Sequence, residues 1–71
     1  MEVQQEFLLN LEKLTKTERI IFDYYIAGQS TKEIMSELKI TENTLKFHNK
    51  NIYSKLNVSS RRQLVEIYRQ S

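Results

Sequence analysis

The chain has 71 residues, a formal net charge of +2, no cysteine, no proline, one glycine and one histidine. That length allows one small domain near the lower limit for a self-supporting core. The lack of cysteine excludes disulfide staples and cysteine-based zinc sites, and a single histidine builds no histidine-cluster metal site. No apolar run approaches the roughly 20 residues that cross a bilayer and no secretory signal opens the chain, so a soluble, cytoplasmic, cofactor-free protein is expected.

A composition rich in Leu, Ile, Lys, Glu and Gln favours helices over strands. Val3, Phe7, Leu11 and Leu14 form an apolar stripe, so residues 1–13 read as an N-terminal helical arm or linker ahead of a domain over residues 14–71. Thr15-Lys16-Thr17-Glu18 is a capping box that opens a helix with Ile21, Phe22, Tyr24 and Tyr25 on its apolar face. Gly28 supplies the left-handed residue that stops this helix near Ala27. Ser30-Thr31-Lys32-Glu33 is a second capping box, opening a short helix that carries Ile34, Met35 and Leu38 and ends there.

After a three-residue break, Thr41 caps a longer helix, with Ile40 and Leu45 placed as a hydrophobic staple that sets the angle of the chain. Ser60-Arg61-Arg62-Gln63 reads as a third capping box, opening a last helix with apolar Leu64, Val65, Ile67 and Tyr68. Four capped helices with short connections make an all-α, compact four-helix bundle, with an extra N-terminal helix or arm allowed. Within it, Ser30 to Leu56 has the layout of a helix-turn-helix, whose second helix enters the DNA major groove.

The charge is unevenly spread. Residues 1–38 carry four basic and seven acidic side chains, whereas residues 39–62 carry six basic ones (Lys39, Lys46, Lys50, Lys55, Arg61 and Arg62) against Glu42 alone. Positive charge gathered into one third of a near-neutral chain is the footprint of a polyanion binder, although lysine-rich helix faces are commonly just solvated.

A helical wheel of the Thr41–Leu56 segment sharpens this. Ile52 and Leu56 lie within about 20° of Leu45, and Asn43, Phe47, Lys50 and Ser54 lie within about 40° of the opposite direction. Lys46 and Asn51 flank the outer face, and Thr44 and His48 sit on its edge. Against DNA, Asn bonds adenine, Lys reaches guanine or phosphate, and an aromatic ring lies on a thymine methyl. An exposed Phe47 forgoes roughly 1.5–3 kcal/mol of burial unless a ligand or partner covers it. Free N–H groups at the starts of the two helices suit phosphate, with Thr31 and Lys32 at the first and Thr41 at the second.

Four runs, L-T-K-T-E-R (Leu14 to Arg19), G-Q-S-T-K-E-I (Gly28 to Ile34), T-L-K-F-H-N-K-N-I-Y-S-K-L (Thr44 to Leu56) and V-S-S-R (Val58 to Arg61), resemble the LuxR-type helix-turn-helix domain. This family forms the DNA-binding output of many bacterial response regulators and quorum-sensing regulators. The resemblance implies base-edge contacts from Lys46, Phe47 and Lys50, phosphate contacts from Thr44 and His48, and a two-fold dimer through the last helix; an exposed Val65 or Tyr68 would suit its interface, although spacing alone leaves a core-only role equally open for both. Double-stranded DNA is the partner it implies, on a pseudo-palindromic operator, with a second copy of the chain and RNA polymerase as protein partners and no membrane contact.

The chain departs from the family pattern at four positions. Asn49 stands where an aliphatic residue usually faces the core, Thr17 replaces a usual Arg, Met35 replaces a small residue between helices, and Phe47 is bulkier than the usual residue.

The expected function is therefore sequence-specific DNA binding in transcription regulation. No enzyme is expected, because one His, one Gly and surface acids assemble neither a nucleophile set nor a phosphate loop. Two alternatives stay open. A sigma-factor-like promoter-reading module shares the L-T-x-x-E-R opening, although His48 and the I-Y-S-K-L segment speak against it. A protein-interaction module would use Phe47 and the N-terminal stripe, and would lack the steep salt dependence of DNA binding.

Overall fold

Each of the last four helices begins at a hydroxyl. In the computed structural model, which describes residues 2–70 (side chains from residue 5 onward), the chain forms α1 (Glu2–Leu11), α2 (Lys16–Ile26), α3 (Thr31–Leu38), α4 (Glu42–Leu56) and α5 (Arg61–Arg69). Thr15, Ser30, Thr41 and Ser60 accept from the amides of Glu18, Glu33, Thr44 and Gln63 at 3.1–3.2 Å. Each such cap satisfies a helix-end donor and contributes about 1 kcal/mol.

The boxes at Thr15 and Ser30 are reciprocal, with Glu18 and Glu33 accepting from the cap amides at 2.9 and 2.8 Å. The third differs from expectation. Gln63 reaches past Ser60 and accepts from the Ser59 amide at 2.7 Å, because the extended backbone at Ser60 (φ −157°) presents the preceding N–H instead.

The stops of α2, α3 and α4 share one pattern. Gly28, Lys39 and Asn57 take left-handed backbone angles (φ 84°, 56° and 59°). The amide after each bonds a carbonyl five residues back: Gln29 to Tyr24, Ile40 to Met35, and Val58 to Tyr53, at 2.9–3.1 Å. This six-to-one closure satisfies orphaned carbonyls and turns the chain sharply. Glycine performs it only once; Lys39 adopts the same geometry with a Cβ, which carries a steric cost.

The apolar faces meet in one core of Phe7, Leu11, Ile21, Phe22, Tyr25, Ile34, Leu45, Ile52, Leu56, Val58 and Leu64. α1 and α2 each pack against α4 and α5, and α4 packs against α5, so the helix expected to read DNA is gripped from three sides. Phe22 lies at the centre, 6.4 Å from the Phe7 ring and 5.4 Å edge-on to the Tyr68 ring. Of the expected N-terminal stripe, Phe7 and Leu11 are buried and Leu14 is partly so, while the Val3 side chain lies outside the described residues. Leu8 and Leu9 face outward on α1.

Candidate nucleic-acid interface

The outer face of α4 is built by burial of its inner one. Leu45, Ile52 and Leu56 are each at most 2% exposed, which fixes the rotation of the rod about its axis. That rotation turns Asn43, Lys46, Phe47, Lys50 and Ser54 to the outside, with Phe47 63% exposed. Asn51 and His48 are half-buried at the flanks, and the His48 ring meets Phe47 edge-on at 5.7 Å.

Two polar ties supplement this apolar seating. The Tyr25 hydroxyl of α2 donates to Oδ1 of Asn49, the polar residue that breaks the inner stripe of α4. Burial, and then the neighbouring Tyr53 phenol, push the Tyr25 pKa up to about 12, against the opposing pull of Asn49 and Arg61. The phenol is therefore a neutral donor throughout the physiological range. Arg61 stacks its guanidinium 4.5 Å from the centre of the Tyr25 ring and donates to the Gln29 carbonyl, which ties the start of α5 to the turn before α3.

The second tie is an ion pair. Lys55 Nζ lies 2.7 Å from Glu18 Oε1, linking the last turn of α4 to the first turn of α2. Burial alone would raise the Glu18 pKa, but the hydrogen bonds from Lys55 and the Thr15 amide, together with the Lys55 charge, hold it below its ordinary 4.5. Glu18 thus serves at once as the closing half of a capping box and as the anchor for α4.

The remaining expected contacts are placed as follows. Thr31 and Lys32 are exposed at the start of α3, and Thr44 is exposed in the first turn of α4. The Thr41 hydroxyl is committed locally: it accepts from the Thr44 amide and donates to the Thr44 hydroxyl at 3.0 Å. Thr44, having accepted that bond, keeps its own hydroxyl hydrogen to donate outward. Lys46 lies 3.8 Å from Glu42, an exposed pairing too weak to hold it against a stronger anion.

The two expected dimer residues are both half-buried against the core: Tyr68 sets its ring on Phe22, and Val65 also lines a shallow groove with Tyr25, Gly28, Arg61, Arg62, Glu66 and Arg69.

Tyr25, Glu18, Lys55 and Arg61 hold α4 and its neighbours in place, a role that no sequence pattern assigned to them. Asn49 gave the only cue, since an amide on an inward face requires a partner. Among the described residues, no helix is long and apolar enough to cross a membrane, and no group of three metal-ligating side chains comes together.

Residues 12–68 match the model of the family described as bacterial regulatory proteins, luxR family. The chain is 46% identical over 52 residues to the spore germination protein GerE of Bacillus subtilis, covering 73% of this chain and 70% of that protein. It is 50% identical over 52 residues to the transcriptional regulatory protein LiaR of Bacillus subtilis, covering 73% of this chain and 25% of that protein. To the response regulator protein TodT of Pseudomonas putida it is 38% identical over 58 residues, covering 82% of this chain and 26% of that protein. The chain thus spans most of the first relative and about a quarter of the other two. No solved structure matches it significantly. With four capped helices, a helix-turn-helix seated on its apolar edge and a family match over most of its length, the chain belongs to the luxR family of bacterial regulatory proteins.

Proposed function

We propose that this chain binds double-stranded DNA sequence-specifically in bacterial transcription regulation, with α4 lying in the major groove. The observation that carries this reading is the outer face of α4: Asn43, Lys46, Phe47 and Lys50 are all exposed on a helix whose other side is locked into the core. The relatives named as response and transcriptional regulators support it.

In this reading, Asn43, Lys46, Phe47 and Lys50 meet base edges and set sequence preference. Thr31, Lys32, Thr44 and His48 hold phosphates on either side, and Thr41 acts mainly by capping α4 and orienting Thr44. Two copies join through α5 on a pseudo-palindromic site. Val65, on the open groove, is better placed for that contact than Tyr68, whose ring is occupied by Phe22. The protein works in the cytoplasm and performs no chemistry of its own.

Selection of bound sequences from a random duplex pool tests this. The expected result is enrichment of a two-fold site with half-site centres about one helical turn apart. Affinity for it should fall steeply between low and moderate salt as counterions are displaced. Failure to enrich any sequence would overturn the reading, and an unsymmetric single half-site would remove the dimer from it.

A further inference from the structure

We propose that Phe47 is a thymine reader: its ring packs on the C5-methyl group of thymine in the major groove and discriminates thymine from every other base at that position. The inference rests on the proposed DNA-binding role of α4 and adds to it the chemical group that is recognised.

Asn43, Phe47, Lys50 and Ser54 follow one another along α4 at spacings of four, three and four, forming a single column on its outer face. Phe47 is the one apolar member and stands inside the column, with a polar side chain on either side. Among the described residues the other exposed large hydrophobics, Leu8, Leu9 and Ile20, lie on α1 and α2, away from this column. The His48 ring, edge-on at 5.7 Å with the planes 66° apart, braces one side of Phe47 and limits where the ring can swing.

The floor of the major groove offers acceptors on guanine, a donor on cytosine and one of each on adenine. Thymine alone adds an apolar group, its C5-methyl. A phenyl ring has neither donor nor acceptor. Placed over guanine, cytosine or adenine, it strips water from polar atoms and returns no hydrogen bond. Placed over thymine, it buries a methyl against an apolar ring, and both surfaces leave water. The flanking Asn43 and Lys50 supply hydrogen bonds to the neighbouring pairs, so the apolar contact is bounded by polar ones and tied to one register.

The test uses the full chain and the duplex enriched by selection. Each thymine is replaced in turn by deoxyuridine, which deletes one methyl and leaves pairing and all hydrogen-bonding groups intact. Wild-type affinity is expected to fall about three- to five-fold at one thymine, or one adjacent pair, per half-site, the effect of losing one buried methyl. Phe47→Ala should bind the parent duplex more weakly and show no further loss at that thymine, while Phe47→Leu should retain part of it. Because Phe47 is exposed, both variants should unfold like the wild type.

The proposal is overturned if deoxyuridine is tolerated at every thymine, or if Phe47→Ala carries the same penalty as the wild type. A parent duplex bound no better than random DNA would instead strike at the DNA-reading role itself, and the unmodified titration distinguishes that outcome.

Discussion

The Tyr25 hydroxyl donates to Asn49 Oδ1, joining α2 to the inward side of α4. Removing Tyr25 takes this donor from the half-buried Asn49 amide, whereas removing Asn49 leaves the buried Tyr25 hydroxyl with Tyr53 as its remaining partner. Tyr25→Phe should destabilise the fold by about 1–3 kcal/mol, the desolvation cost of an unpaired polar group, and Asn49→Leu by less, because the Tyr25 hydroxyl keeps Tyr53. The double variant, apolar on both sides, should recover a large part of that loss. Urea unfolding of the four proteins measures the coupling. Strictly additive losses would mean that the two groups do not depend on each other.

The Glu18–Lys55 pair gives the protein an acid limb. Since the folded pKa of Glu18 lies below its ordinary 4.5, its contribution is fully present above the unfolded value and is lost as pH falls through the folded one. Lys55→Met removes the Lys55 hydrogen bond and charge, leaving only the Thr15 hydrogen bonds to oppose burial. Stability at pH 7 should then drop by about 1–3 kcal/mol, and the loss on acidification below about pH 4.5 should flatten. Thermal midpoints of both proteins from pH 3 to pH 7 decide this, and parallel curves would refute it.

Lys39 holds a left-handed backbone angle at the turn of the helix-turn-helix. A Cβ there is crowded by the following carbonyl, whereas glycine is not. Lys39→Gly should therefore stabilise the fold by about 0.5–1 kcal/mol, even after the added flexibility of the unfolded chain is counted. Asn57→Gly should gain less, because asparagine tolerates this region. Calorimetry on both variants provides the comparison, and a lower melting temperature for Lys39→Gly would show the turn to be unstrained.

On DNA, the variants should sort by what they touch. Lys50→Ala should narrow the gap between selected and random duplex by the roughly 1–3 kcal/mol of a base-edge contact. Thr44→Ala and His48→Ala should weaken both duplexes alike, and Lys32→Ala should also reduce the slope of affinity against salt by about one. Titrations at three salt concentrations separate the classes. Equal effects of Lys50→Ala on both duplexes would place that side chain on the backbone instead.

Much of the architecture is written locally. The hydroxyls at Thr15, Ser30, Thr41 and Ser60 open four helices, Gly28 closes one, and the seven-residue spacing of Leu45 and Ile52 sets which side of α4 is buried; these signals act over a few residues and are readable one segment at a time. The left-handed stops at Lys39 and Asn57 carry no glycine to announce them, so only the geometry of the closed turn reveals them. The exposed Asn43, Lys46, Phe47 and Lys50 follow from the same periodicity once the buried side of α4 is known.

Tertiary structure alone decided the partners of polar groups distant in sequence: Asn49 with Tyr25, Lys55 with Glu18, and Arg61 with the Gln29 carbonyl. It also gave Tyr68 to Phe22 while leaving Val65 on an open groove. Such pairings depend on how five helices cross, and no periodicity within one helix specifies the angle at which it meets the next.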